Sequence, residues 1–157
     1  MGSIKTILWP TDASESALKA LEKAVLLARQ FGAKIHALQV VQRVPTMAEI
    51  GLAGTTAPAF NLPLYEHQLV EAAREALVKT VADNVPDELE TEIHVATGTA
   101  KMVILDFARD NGIDLIVMAT HGRQGLSHLM LGSVAESVIR QAPVPTLVVP
   151  YSDRNDG

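Results

Sequence analysis

Ile113-Asp114-Leu115-Ile116-Val117-Met118-Ala119-Thr120-His121-Gly122, followed after nine residues by Gly132-Ser133-Val134-Ala135-Glu136, decides how this chain is read. The apolar run up to Met118 reads as a strand buried on both faces, the habit of a parallel sheet. Ser133 is placed to cap a helix that runs through Val134, Val138 and Ile139 to about Arg140. A strand, a glycine-bearing loop and a fresh helix N-terminus make a ready anion site. The unpaired N–H groups of the first turn and the positive end of the helix dipole both point into the loop. Glycine suits such a loop because a phosphate approaches backbone only where no Cβ intervenes. The same residues also fit an ordinary βα loop whose glycines only make the turn.

Outward from that stretch the chain alternates strand and helix. Ile4 to Trp9 reads as a first strand stopped by Pro10. Ser16 to Phe31 carries Ala17, Leu18, Leu21, Val25, Leu27, Ala28 and Phe31 at helical spacing, with Asp12 or Ser14 as cap and Gly32 as terminator. Lys34 to Val41 is a second strand. From Gln42 to Leu62 no period holds, so a long loop with at most a short helical turn is expected. Pro63 suits the first turn of a helix to about Asn84, with Leu69, Ala72, Ala73, Ala76, Leu77 and Val81 on one face. Thr91 to Val95 is a third strand. Thr99 can cap a helix showing Met102, Val103, Leu105, Phe107 and Ala108 before Gly112 ends it, and Gly98 is a turn residue. Asp114 to Met118 is the fourth strand, and Thr146 to Val149 the fifth, after the break at Ala142-Pro143-Val144-Pro145. Such alternation means right-handed crossovers: an α/β fold with an open five-stranded parallel sheet, doubly wound in the order 3-2-1-4-5, helices on both faces.

Composition narrows the function classes. The chain has 157 residues, 48% of them hydrophobic but only 4% aromatic, so Ala, Val, Leu and Ile do the packing. That length suits one domain, assigned to residues 1–150, with a polar tail over 151–157. A formal net charge of -5 argues against nonspecific nucleic-acid binding, which needs a basic face. Cysteine is absent, which excludes disulfides and thiolate metal sites and suits a reducing cytoplasm. No apolar stretch approaches a membrane span, and no long apolar leader opens the sequence.

Ligands of open parallel sheets bind beyond the carboxyl ends of the strands, where the strand order reverses. Strand one ends in Pro10-Thr11-Asp12, a hydroxyl and a carboxylate on a sharp turn, and strand four ends in the glycine loop. If strands one and four are neighbours, both turns line one crevice. Asp12 then has two readings, a helix cap or a ligand contact.

With these residues in view, the chain resembles the universal stress proteins in their small single-domain form. The resemblance runs from Ile7-Leu8-Trp9-Pro10-Thr11-Asp12-Ala13-Ser14 to Pro143-Val144-Pro145-Thr146-Leu147-Val148-Val149-Pro150. The nucleotide-binding branch of that family carries glycine, two residues, glycine, nine residues, then glycine with serine or threonine. Here Gly122, Gly132 and Ser133 match, while Ala119 stands where the first glycine would be. The resemblance implies that Asp12 accepts from ribose or adenine, with Pro10 and Thr11 shaping the wall. Val40 and Met118 would meet adenine, and Ala119 would stand beside them at the nucleotide site. Gly122 and Arg123 would border the phosphates, and Gly132, Ser133 and Val134 would offer them N–H and hydroxyl donors. The implied ligand is ATP, ADP or AMP, with Mg²⁺ held through the phosphates.

Catalytic signals are thin. There is no GxxxxGK[ST] loop and no GxSxG elbow. His36, His67, His94, His121 and His128 lack metal-ligand spacing, so no metal site and no catalytic residue is expected. His121 lies in the site loop, where a histidine is more often structural or solvent-facing than a general base. The leading expectation is a non-enzymatic, cytoplasmic, nucleotide-binding stress regulator. A slow ATP hydrolase or phosphotransferase is one alternative, and an interaction module with an empty pocket is another. The last strand, Thr146 to Val149, is expected at a sheet edge, where a homodimer through two such strands would cover it. The loop from Gln42 to Leu62 should emerge beside the pocket, mobile when the pocket is empty and ordered by nucleotide.

Overall fold

The computed structural model describes residues 2–52, 54, 61–121 and 131–151. In chain order the elements are β1 (Thr6–Thr11), α1 (Glu15–Phe31), β2 (Lys34–Val41), α2 (Leu62–Asn84), β3 (Thr91–Thr97), α3 (Ala100–Asp110), β4 (Leu115–Ala119), α4 (Ser133–Gln141) and β5 (Thr146–Val149). The strands form one parallel sheet in the order β3-β2-β1-β4-β5. The expected doubly wound α/β fold is therefore the one observed.

Alternation along the strands feeds two cores. Ile7, Trp9, Ile35, Ala37, Leu115 and Val117 face α1 and α2. Leu8, Leu38, Ile116 and Met118 face α3 and α4. Central strands thus bury both faces, which is why β4 reads as an unbroken apolar run. Trp9 is fully buried, and its indole Nε1 donates to the Ala17 carbonyl at 2.9 Å. An unpaired N–H there would cost about 1–3 kcal/mol, so this bond fixes how α1 lies on β1.

Helix ends follow local chemistry. Ser14 caps α1 by accepting from the Ala17 N–H at 3.2 Å, and Gly32 ends it in the left-handed region at φ 65°. Asn61 caps α2, with Pro63 in the first turn. Thr99 stands at the N-cap of α3 but makes no side-chain cap bond.

Several boundaries differ from the sequence reading. Pro10 does not stop β1; it lies inside it, and the strand runs from Thr6 rather than Ile4. The Lys5 carbonyl accepts from β2 and the Thr6 carbonyl from Asp114, so alternate residues face opposite neighbours and the Pro10 nitrogen faces β4. The β1–β4 ladder stops at Leu8↔Ile116, while β1–β2 runs on to Thr11↔Gln39. The missing donor therefore breaks no ladder bond. On α2, Ala72 and Ala76 are exposed, and the inner row is Leu69, Ala73, Leu77 and Val81. Met102 on α3 is 58% exposed and Ile139 on α4 is 45% exposed, because those helices bury Ile104, Leu105 and Ala108, and Ala135 and Val138, instead.

The segment after β2 holds one helical turn. Thr46 and Glu49 bond reciprocally, the Thr46 N–H to Glu49 Oε2 at 2.6 Å and the Glu49 N–H to Thr46 Oγ1 at 3.3 Å, as in a capping box. Residues 53 and 55–60 of the long loop, and 152–157 of the expected tail, lie outside the described residues. Tyr151, assigned to that tail, is tied down: its hydroxyl donates to Glu15 Oε2 at 3.0 Å, and its ring meets His121 edge-on.

Candidate functional site

At the carboxyl end of β1 the chain reverses into α1 through three side-chain oxygens. Thr11 Oγ1 accepts from the Ala13 N–H at 3.0 Å, Asp12 Oδ1 from the Ser14 N–H at 3.0 Å, and Ser14 Oγ from Ala17. Ala13 between them sits at φ 64°. A left-handed alanine costs about 1–2 kcal/mol, which the flanking bonds offset. Asp12 is thus not the helix cap; Ser14 takes that role, and Asp12 shapes the turn before it.

At the end of β4 the chain is pinned to the start of α4. The Gly132 N–H donates to the Thr120 carbonyl at 2.7 Å. Gly132 is itself the N-cap, at φ -65° and ψ 156°, and Ser133 is the first helical residue with no cap bond of its own. The expected Ser133 cap is therefore displaced by one residue. Nothing in this φ demands glycine. What favours it is space: a Cβ would stand 3.3 Å from the Thr120 oxygen and from His121 Cα, so those backbone atoms would have to give by a few tenths of an ångström. The close approach that crowds a side chain there is to the chain's own backbone. The N–H groups of Ser133, Val134 and Ala135 begin a helix, so they have no carbonyl a turn earlier to bond.

Ala119 ends β4 in strand conformation, paired with Val149. Among the described residues Ala13 is the only non-glycine with positive φ. The methyl group at 119 is accordingly unstrained. His121 is buried; its Nδ1 lies 3.0 Å from Thr120 Oγ1 and its ring packs on Tyr151. Those contacts fit the structural role expected of it.

The strand order sets β1 between β2 and β4, and their carboxyl ends enclose a cavity of about 770 Å³. Pro10, Thr11, Asp12, Val40, Met118, Ala119, Gly132, Ser133 and Val134 all line it. Gly122 and Arg123 lie outside the described residues. The sequence reading missed Gln39, Val41 and Gln42 at the end of β2, Leu69 and Ala73 on α2, and Ala100 and Ile104 on α3; His121, placed in the site loop from sequence, also lines the cavity. Gln39 and Gln42 carried a signal, two amides bracketing the carboxyl end of a central strand. Leu69 and Ala73 carried none, because a pocket-facing apolar residue on a helix has the same period as a core-facing one. Aliphatic walls with hydroxyl and backbone N–H donors and a carboxylate acceptor suit a ligand with a flat apolar part and an anionic part.

The profile of the universal stress protein family matches residues 3–150. Universal stress protein MJ0531 of Methanocaldococcus jannaschii is 37% identical over 147 residues, covering 92% of this chain and 81% of that protein. Among solved structures, the protein MJ0577 superposes with a TM-score of 0.79 at 27% identity, covering 98% of this chain and all of that one. A universal stress protein solved in complex with cAMP shares the fold at a TM-score of 0.66 and 18% identity, over 96% of this chain and 100% of its own. By profile, sequence identity and fold together, the chain belongs to the universal stress protein family.

Proposed function

We propose that residues 1–150 act as one domain that binds an adenine nucleotide in the cavity at the carboxyl ends of β1, β2 and β4. The observation that carries this reading is the meeting of three strand ends with the N-terminus of α4 around one space of about 770 Å³. That volume lies within the range of roughly 300–1,000 Å³ typical of small-molecule sites. Val40, Met118 and Ala119 give adenine an aliphatic surface, and Asp12 accepts from the nucleoside beside Pro10 and Thr11. The N–H groups of Ser133 and Val134 face the phosphates at the positive end of α4, with Gly132 letting the start of that helix pack close against Thr120. Gly122 and Arg123 complete the phosphate border, and Mg²⁺ is held through the phosphates. The cAMP bound by a protein of this fold supports an adenine ligand.

The protein then works as a non-enzymatic regulator of the stress response whose surface changes with its nucleotide state, in the cytoplasm. His121, the one histidine at this cavity among the described residues, is engaged with Thr120 and Tyr151, which favours binding over turnover. β5 lies at the sheet edge and Leu147 is 40% exposed. This supports a homodimer through paired β5 strands. Mass spectrometry of small molecules released from the denatured, purified protein tests the reading. Release of AMP, ADP or ATP, and calorimetric binding of the same nucleotide, are expected. No released nucleotide, together with no binding at millimolar ATP, would overturn it in favour of an interaction module with an empty pocket.

A further inference from the structure

Away from the cavity, the pairing of β2 with β3 brings His36 to two side chains that the sequence keeps far from it, Glu92 and His94. Parallel pairing sets His36 opposite Glu92 and Leu38 opposite His94. Glu92 and His94, two apart on one strand, project from the same face. His36 Nδ1 lies 3.1 Å from His94 Nε2 and 3.6 Å from Glu92 Oε2, and His94 Nε2 lies 3.4 Å from Glu92 Oε2. The expectation that no histidine here has metal-ligand company holds for the linear sequence only.

We propose that His36 Nδ1, His94 Nε2 and Glu92 Oε2 form a site for one divalent transition-metal ion of the zinc class, with solvent completing the coordination. Ligand atoms about 2.0–2.1 Å from a tetrahedral ion stand about 3.4 Å from one another. The three separations here bracket that edge length, so an ion can enter with shifts of a few tenths of an ångström. Two imidazoles and one carboxylate are the donor set that zinc and its neighbours take, while magnesium and calcium prefer all-oxygen sites.

The surroundings hold the ligands in place. Phe107 of α3 packs edge-on to both imidazoles, at centroid distances of 5.9 and 4.7 Å. The rings lie nearly parallel, 18° apart. The other carboxylate oxygen of Glu92 pairs with Lys34, which also bonds Glu90 at 2.9 Å, so Glu92 is oriented from behind as ligating carboxylates usually are. Lys34 and Arg74 are the nearby cations, and Glu90 and Glu92 balance them. Burial pushes both imidazoles below their ordinary pKa, which keeps the lone pairs available near neutral pH. His36 is buried, whereas His94 and Glu92 are reached by solvent at the sheet edge, so an entry path and an open coordination position exist together.

The test is a titration of untagged, chelator-treated protein with Zn²⁺ alone, against a chromophoric competitor, repeated with Co²⁺. One ion per chain at micromolar or tighter affinity is expected, with the intense visible absorption of tetrahedral cobalt. His94→Ala and Glu92→Gln should each weaken binding at least tenfold, while His67→Ala on the exposed side of α2 leaves it unchanged. Zn²⁺ should raise the unfolding temperature of the parent protein and not of His94→Ala, with circular dichroism confirming that each variant is folded. Substoichiometric binding, or equal binding by the parent and both site variants, would overturn the proposal.

Discussion

Gly132 is held against Thr120. Its N–H donates to the Thr120 carbonyl at 2.7 Å, and a methyl built on its Cα would stand 3.3 Å from that oxygen. The contact joins the end of β4 to the start of α4, so it sets where the first-turn N–H groups of α4 point. A larger residue must push two backbone segments apart, which costs about 1–3 kcal/mol. Gly132→Val is expected to stay folded by far-UV circular dichroism with a lowered urea midpoint. ATP affinity should fall at least tenfold and adenosine affinity much less, because only the phosphate end moves. Equal ATP binding by folded Gly132→Val and the parent, measured by calorimetry, would count against a phosphate site there.

Asp12 and Ser14 do neighbouring jobs that substitutions can separate. Ser14→Ala removes the cap of α1 and should lower stability by about 1 kcal/mol with nucleotide affinity unchanged. Asp12→Ala should weaken AMP and ATP alike by one to two decades, since a charge-assisted hydrogen bond is worth about 1.5–3 kcal/mol. If Asp12→Ala shifts only the unfolding midpoint, Asp12 serves the turn alone.

Ala119, where the resemblance implies a glycine, stands in strand conformation without backbone strain. The native protein should therefore bind ATP within tenfold of Ala119→Gly, a difference under about 1.4 kcal/mol. Titrations of the two proteins in one buffer with Mg²⁺ decide this. Binding seen only after Ala119→Gly would make the methyl group a switch-off substitution.

Asp114 ties β4 to the start of β1. Its Oδ2 accepts from the N–H of Lys5 at 2.8 Å, from the N–H of Thr6 at 3.0 Å and from Thr6 Oγ1 at 3.0 Å. The Lys5 N–H foremost, and then the Thr6 hydroxyl and N–H, hold the carboxyl below its usual range. A carboxyl depressed in the folded state stabilises fully above its unfolded pKa, near 3.8, and the contribution is lost as pH falls through the folded pKa. Solvent access keeps it to about 1 kcal/mol. Asp114→Asn should be less stable than the parent at pH 7, and the gap should close toward pH 2. Urea unfolding at both pH values measures it, and a gap independent of pH would show that charge plays no part.

The exposed edge at β5 predicts a dimer in solution. Light scattering at micromolar concentration should give twice the chain mass, and Leu147→Lys, at a 40% exposed position, should give the single mass with the fold intact. A monomeric parent protein would reject pairing through Thr146–Val149.

What the sequence determined by itself was local. Element order, the Gly32 stop, the buried run of β4 and the limits of β2 and β5 follow from periodicity and capping, which act over a few residues, whereas the choice of Ser14 over Asp12 as the α1 cap came from the structure. The parallel sheet followed too, because short strands alternating with helices leave few other ways to bury both. Family likeness then carried Pro10, Val40, Met118 and Ser133, from four separate elements, and Asp12, from the turn after β1, to one cavity. Only the tertiary structure decided the rest. Pro10 stays within β1 because the neighbouring ladder ends before it, a fact about β4. Ala72 and Ala76 point outward because of how α2 lies on the sheet, which an alanine-rich helix does not announce. The preference for glycine at 132 comes from the backbone of Thr120 and His121. His36 meets Glu92 and His94 only through β2–β3 register. Each is a contact between segments whose separation along the chain carries no energy of its own, so no local pattern records it.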